Sequence, residues 1–447
     1  VFDVDRTDTL VALATPRGRG AIAVVRLSGP RAFAVRDGLV RARAHPPRTA
    51  VRVDVVDVEH GGSVIDDALC VSFVGPHSYT GEDVVELSLH GAPLIVSLVL
   101  DAARALGARL AEPGEFTWRA FANGRIDLAE AEAVEAVVDA RSVAALQVAQ
   151  RALRGGLEAA LAGPRAVLID VLAEIEARLD FPDDDLGGVD VDALAVRVDA
   201  AAGALARLSA HAQTGRRLAH GARVVLYGAP NAGKSTLLNA LVGHARALVH
   251  HEPGTTRDVI EAEVDFDGVV CVVVDVAGVR DGVDVGAVEA AGIAKARAEV
   301  ERADVVVVLT PIGDALFPVP ECTATVIEVT TKVDLSSSSS LLSSSSLALS
   351  AQTGQGVDAL RARVGRALVG EATSFDEVVV QTARQHAAIE DARTAVRHSL
   401  VALREHAREE VWCAELRGAV RALDRVLGRD VSVDVLDVVF SRFCIGK

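Results

Sequence analysis

The chain contains no methionine and almost no lysine, while arginine and alanine abound. The missing methionine carries no functional meaning. Its five cysteines are scattered without any Cys-x-x-Cys pair, which argues against a disulfide framework and against a structural zinc site. A reducing cytoplasm fits that usage. No uninterrupted apolar run is long enough to span a bilayer and no secretory segment is evident, so the sequence predicts a soluble, cytoplasmic protein with no membrane partner. Excess positive charge is lacking too: the formal net charge is −16, which excludes a chain-wide electrostatic grip on nucleic acid. Any RNA contact is local or supplied by a partner.

What is present begins with Gly228-Ala-Pro-Asn-Ala-Gly-Lys-Ser-Thr236, which follows an apolar run at 224–226 and leads into a helical run at 237–241. Strand, glycine-bracketed loop and helix in that order make a phosphate cradle. Backbone N–H groups and the helix N-terminus surround the phosphates, Lys234 neutralises them, and the Ser235 hydroxyl can ligate Mg²⁺. The loop residues Asn231, Ala232, Gly233, Lys234, Ser235 and Thr236 are therefore assigned to a nucleoside triphosphate.

Three further segments follow in order. Gly254-Thr-Thr-Arg-Asp258 lies where a GTPase places the threonine that closes on Mg²⁺ and the γ-phosphate, which selects Thr256, with Gly254 and Thr255 beside it. Alone it reads as a plain turn; position gives it weight. A β-branched run at 269–274 ends in Asp275-Val-Ala-Gly278, an acidic strand end for the metal's outer shell and a glycine for the γ-phosphate, flanking Val276 and Ala277. Then Thr331-Lys-Val-Asp334 follows a strand at 325–329, with Leu349-Ser-Ala-Gln352 after it. Asp334 can accept both the N1 and N2 protons of guanine, a pattern adenine does not offer, so with Lys332, Ser350 and Ala351 the base read is guanine. Thr331 stands where the motif usually has Asn, which leaves base affinity open. The ordered set reads as an α/β P-loop GTPase domain.

At 447 residues, half of them apolar, the chain has room for about three domains with ordinary cores. Residues 1–118 alternate short strands at 21–27, 51–58, 68–74 and 84–89 with a helix at 94–106, as an α+β module does. From 128 to 208 apolar residues recur at helical spacing, broken near 181–185, and the same composition returns from 381 to 427. This pattern predicts a discontinuous all-α domain, 119–212 with 376–447, into which the P-loop domain, 213–375, is inserted. The low-complexity serine run 336–346 cannot bury a core and reads as a disordered loop.

Several motifs outside the P-loop domain carry a resemblance that covers nearly the whole chain. They are Ala14-Thr-Pro-Arg-Gly-Arg-Gly20, Tyr79-Thr-Gly-Glu-Asp83, His90-Gly91, Pro113-Gly-Glu-Phe116, Phe121-Ala-Asn-Gly-Arg-Ile-Asp-Leu-Ala-Glu-Ala-Glu132, Asp180-Phe-Pro182 and the terminal Phe443-Cys-Ile-Gly-Lys447. With the GTPase motifs, they make the chain resemble the MnmE (TrmE) family of tRNA-modification GTPases.

The resemblance implies that the N-terminal α+β domain dimerises and binds 5-formyltetrahydrofolate as a one-carbon donor. It places Arg26, Glu86, Arg125 and Lys447 at the folate, Arg125 standing where Lys is common. It implies a homodimer that works with the flavoprotein MnmG (GidA) on tRNA, adding an aminomethyl or carboxymethylaminomethyl group at C5 of the wobble uridine. Cys444 becomes a catalytic candidate, although a lone cysteine is more often a small core residue. A thiolate there would need nearby positive charge, and Lys447 is the neighbour in sequence.

For hydrolysis, the glutamine that Ras-like enzymes place after the D-x-x-G glycine is replaced by Val279, so another group orients the water. The resemblance points to Glu289, with an ordinary surface glutamate as the competing reading. It also implies a K⁺ ion in place of an arginine finger, held by Asn231 and by the segment carrying His250, Glu252 and Thr255, with activation by dimerisation of the GTPase domains. A regulatory or ribosome-assembly GTPase without RNA chemistry is the rival, and the folate-module motifs with Cys444 discriminate against it. A divergent homologue is a second rival, which normal GTP affinity would oppose.

Overall fold

The computed structural model describes residues 7–41, 46–58, 61–180, 190–244, 259–276, 287–335, 346–369, 379–405 and 407–446. Two compact units emerge, Val1–Glu135 with Asp424–Lys447, and Ala136–Leu423. The helix α4 (Leu128–Asp139) runs from the first into the second, and α13 (Glu409–Leu427) runs back.

The first unit begins β1 (Leu10–Leu13), β2 (Ile22–Ser28), α1 (Ala32–Leu39), β3 (Val40–Arg41), β4 (Val51–Asp57), β5 (Ser63–Phe73) and β6 (Val84–His90). It continues with α2 (Pro93–Ala105), β7 (Arg109–Leu110) and α3 (Glu115–Ala122), and closes with α14 (Val433–Phe440). The strands form one sheet in the order β3-β4-β5-β6-β2-β1-β7. Side chains alternate across it, so Ala23, Val25, Leu27, Leu87 and Leu89 enter a core with Val35, Val96 and Val99 of α1 and α2. The opposite face is left to Arg26 and Glu86, direct cross-strand partners.

Four expected strands and the long helix stand within a few residues of their sequence positions. The sequence reading missed α1 and α3. The first has only 8 residues, short of the span over which helical periodicity declares itself. The second starts from Gly114 at φ 74°, a conformation tied to remote packing: a Cβ there would lie 2.3 Å from the Phe440 carbonyl oxygen. Beneath α3, the buried guanidinium of Arg119 meets the Asp8 carboxylate and lies 3.1 Å from Glu82, fixing the turn that carries Tyr79 and Thr80.

In the second unit α5 (Val143–Leu153), α6 (Gly156–Asp180), α7 (Val191–Ala210), α8 (Ala212–His220) and α12 (Ala383–Arg404) are the helical part, with most of α13. Helix α7 packs on α6 and α12. The α/β part comprises β8 (Ala222–Gly228), α9 (Lys234–His244), β9 (Val259–Phe266), β10 (Val269–Val276), α10 (Ala287–Glu301), β11 (Val305–Pro311), β12 (Thr325–Thr331), β13 (Leu347–Ala348) and α11 (Val357–Val369). The sheet order is β13-β12-β11-β8-β10-β9, parallel except for the antiparallel edge β9. β11 reads as an unbroken apolar run because helices cover both faces of a parallel sheet. Ala144 and Val148 of α5 share that sheet's core with Leu218 and Val224, so the helices next to the insertion continue its packing.

The fold is an α/β P-loop domain set into a helical domain and preceded by an α+β domain. Among the described residues no helix is long and apolar enough to cross a membrane. The serine run lies almost wholly outside the described residues.

Candidate functional site

From β8 the chain reaches β10 on one side and then crosses to β11 on the other, so the carboxyl ends of β8 and β10 open at a topological switch point. The loop after β8 occupies that opening. Gly228, at φ 151°, passes so close to β11 that a Cβ would lie 2.5 Å from the Leu309 carbonyl oxygen. Asn231 at φ 63° and Gly233 at φ 98° complete the turn. Such left-handed positions aim successive backbone N–H groups into one concavity, which suits an anion.

Lys234 opens α9 and is buried, its ammonium donating to the carbonyls of Gly228 at 3.1 Å and Ala229 at 2.9 Å. Burial lowers its pKa, and the Asp275 charge opposes that shift. A cation folded back on the loop's own carbonyls in a desolvated place is one that phosphate oxygens would satisfy better. The Ser235 hydroxyl donates to the Asp275 carboxylate, which is buried at the carboxyl end of β10. An all-oxygen pair of this kind fits a hard cation such as Mg²⁺. Thr236 is exposed on the first turn of α9, whereas the Val276 side chain joins the core with Tyr227 and Val274.

Thr331 ends β12, fully buried, and its hydroxyl donates to the Ala232 carbonyl at 2.7 Å. The residue standing in place of Asn thus ties the base-reading segment to the phosphate loop. Lys332 follows at φ 60°, and Asp334 is exposed in the short turn Val333–Leu335. The second base segment is held beside it. Leu349 N–H donates to the Thr330 carbonyl at 2.8 Å, Ser350 is buried, and Ala351 is half-buried. The loop, the carboxylate and both base segments therefore converge at one end of the sheet. His250, Glu252, Gly254, Thr255, Thr256, Ala277 and Gly278 lie outside the described residues; Glu289 lies on α10, its side chain outside them too.

The first unit holds a second polar site. Arg26 Nε donates to Glu86 Oε1 at 2.9 Å and one terminal nitrogen lies 2.8 Å from the same oxygen. The other terminal nitrogen donates to the Gly446 carbonyl at 3.2 Å. The guanidinium lies 5.6 Å from the Tyr79 ring centroid and 5.7 Å from that of Phe116, within cation–π range of both. Tyr79 is fixed by a 2.8 Å hydrogen bond between its hydroxyl and Thr117. The Arg26 side chain is 21% exposed and Phe116 is fully buried, so Tyr79 is the ring left open beside the charge, a face that suits a flat ring. Arg125 is exposed, its stem 3.1 Å from where a Gly81 Cβ would stand. Cys444 is exposed, and Lys447 lies outside the described residues.

Sequence reasoning gave no role to Tyr79, Phe116 or Gly446, and it missed the Thr331 link. Tyr79 and Phe116 were visible only inside quoted motifs; nothing local in the sequence joins residues 26 and 446.

The family model of the MnmE helical domain matches residues 128–444, and that of the GTP-binding protein TrmE N-terminus matches 9–125. The tRNA modification GTPase MnmE of Symbiobacterium thermophilum is 40% identical over 98% of this chain and 99% of its own length. The one from Neisseria meningitidis serogroup B is 38% identical over 99% and 100%. Among solved structures, Aquifex aeolicus Era bound to GDP·AlF4⁻ covers 39% of this chain and 66% of its own at 20% identity and a TM-score of 0.28, a likeness too slight to argue from.

Proposed function

The chain belongs to the family of the tRNA modification GTPase MnmE, and from that premise we propose that it couples GTP hydrolysis to modification of the tRNA wobble uridine. The product is an aminomethyl or carboxymethylaminomethyl group at C5, formed with the flavoprotein MnmG (GidA), its methylene carbon coming from a folate one-carbon donor and its amine from ammonia or glycine respectively. The observation that carries the reading is the convergence of Lys234, Ser235, Asp275 and Thr331 on one loop, in a chain matched over 98% of its length by a tRNA modification GTPase MnmE.

In this reading the working protein is a cytoplasmic homodimer. The folate-binding and dimerising part is 1–118, the helical part 119–212 with 376–447, and the GTPase part 213–375. Lys234 gives up the loop carbonyls for the β- and γ-phosphates, while Ser235 and Thr256 hold Mg²⁺ with Asp275 behind them. Asn231, exposed on the loop, belongs with His250, Glu252 and Thr255 to the K⁺ set. A monovalent cation there supplies the charge stabilisation an arginine finger gives elsewhere. Glu289 orients the attacking water. Asp334 reads the guanine edge, flanked by Lys332, Ser350 and Ala351. Arg26, Glu86, Arg125 and Lys447 would hold 5-formyltetrahydrofolate, and Cys444 is the catalytic candidate of this part.

The test is GTP hydrolysis by the purified protein in KCl against NaCl, with Glu289→Ala alongside. Strong K⁺ stimulation that the variant loses is expected. Equal rates in the two salts would overturn the cation assignment.

A further inference from the structure

The motif Ala14-Thr-Pro-Arg-Gly-Arg-Gly20 takes no part in either site described above, yet it forms a firmly rooted loop between β1 and β2. At one root Ala14 N–H donates to the Val24 carbonyl at 2.7 Å, and Val24 N–H donates to the Thr15 hydroxyl at 3.3 Å. At the other, Gly20 N–H donates to the Gly91 carbonyl at 2.9 Å and Gly91 N–H to the Ala21 carbonyl at 3.3 Å. The second root is tight enough that a Cβ on Gly91 would lie 2.4 Å from the Gly20 carbonyl oxygen, which is why a glycine stands there. Between the roots residues 16–20 are exposed without a break, and Gly18, at φ 127°, has open space where a Cβ would be.

Arg17 and Arg19 are carried on this loop with nothing to neutralise them. Among the described arginines of the first unit, only Arg17, Arg19, Arg125 and Arg442 make no hydrogen bond or ion pair, and Arg125 is assigned to the folate. The carboxylates of β5 and β6 are all committed elsewhere: Glu86 to Arg26 at 2.8 Å, Asp66 to His90 at 2.8 Å, and Asp67 to Arg52. Exposed arginines need no partner in water, so it is their place that singles these two out. The loop leaves β1 where the chain's tail docks, a Cβ on Gly446 lying 2.3 Å from the Leu13 carbonyl oxygen and 2.8 Å from the Ala14 Cα. Two unneutralised guanidiniums thus stand a few residues along from the segment that bears the exposed Cys444 and accepts a hydrogen bond from Arg26.

We propose that the loop 15–20 is a phosphate grip for the RNA substrate, in which Arg17 and Arg19 hold the backbone beside the wobble nucleotide and bring its base to the Arg26 site; this rests on the tRNA reading above. A guanidinium takes a phosphate through two parallel N–H bonds, a geometry that a point-charge ammonium lacks. The wobble nucleotide lies in a single-stranded loop, where bases are free to splay out of the stack. Phosphate contacts set position and carry no sequence information. On a chain of net charge −16 a small positive loop also decides where a polyanion lands, because the protein's charge as a whole repels it.

The test is fluorescence anisotropy of a labelled anticodon stem-loop RNA with the full chain, over a range of KCl concentrations. Arg17→Gln combined with Arg19→Gln should weaken binding about tenfold and make the dependence of log affinity on log salt shallower by about 1.4, two single-strand phosphates at about 0.7 each. The loss should be alike for RNAs of different loop sequence. Arg17→Lys with Arg19→Lys keeps the charge, so it should keep the slope while losing part of the affinity. Arg363→Gln, at an equally exposed and unpaired arginine of α11, is the control and should change neither. Calorimetry of 5-formyltetrahydrofolate binding should not distinguish the glutamine double variant from wild type; a loss there would mean that the loop holds folate carboxylates and would overturn the grip. A double variant with the wild-type slope, or an equal loss in Arg363→Gln, also overturns it. A wild-type chain that binds no RNA overturns the grip as well, while the modification reading is judged separately, by conversion of the wobble uridine.

Discussion

The nucleotide loop and the Arg26–Glu86 site differ in how their parts lie along the chain. Lys234 donates to a carbonyl six residues away, and the loop is complete within one strand–turn–helix. The other site joins strands 60 residues apart and then a tail 420 residues away. A site whose geometry is set by local backbone announces itself as a motif. One assembled by sheet register and tail docking does not.

The largest effect that would sharpen this contrast is expected from Lys234→Ala. GTP affinity should fall at least about a hundredfold, since the loop loses its charged partner for phosphate, while binding at the Arg26–Glu86 site stays unchanged. Titration with a fluorescent GTP analogue and calorimetry with 5-formyltetrahydrofolate together check this, and a loss at both sites would break the contrast.

Next in size is Asp334→Asn. Removing the double acceptor should weaken GTP by about a hundredfold or more and shift preference toward xanthosine triphosphate, whose ring offers the complementary pattern. Competition binding decides it.

Thr331→Val should cost less, about tenfold in affinity, because a buried carbonyl at Ala232 loses its donor, a penalty of about 1–3 kcal/mol. The preference for guanine should not move, and Thr331→Ser should restore binding. A changed base preference with unchanged affinity would mean that Thr331 reads the base directly.

The smallest effect belongs to His90 at the carboxyl end of β6, inside the first unit's sheet. Its hydrogen bond to Asp66, 2.8 Å long, raises its pKa above the ordinary 6.5. A raised folded value means the pair stabilises the fold fully below the unfolded pKa, and that contribution is lost as pH rises through the folded one. NMR titration should show a midpoint above 6.5 that returns toward it in Asp66→Asn.

Much of the fold was legible because its signals are periodic. The strand at 84–89 and the helix at 94–106 stand out by alternation and by helical spacing, and both are present as β6 and α2. Helix α3 was hidden because its start is a glycine chosen by the Phe440 carbonyl, far along the chain. In the nucleotide site the loop was plain, yet the role of Thr331 was not, since its partner Ala232 lies 99 residues earlier and is reached only through the sheet. The departure from Asn looked like a weakness. In the fold it is a buried hydrogen bond that joins two segments of one site.

The central claim, that GTP hydrolysis here serves tRNA modification, is tested most directly by the mass of the wobble nucleoside. Unmodified tRNA would be incubated with this protein, the flavoprotein partner, GTP, MgCl2, KCl, NADH, the folate donor and either an ammonium salt or glycine as the amine, then digested and measured. The account predicts uridine converted to its 5-aminomethyl or 5-carboxymethylaminomethyl form, with conversion lost in Lys234→Ala. Unconverted uridine beside active GTP hydrolysis would contradict it.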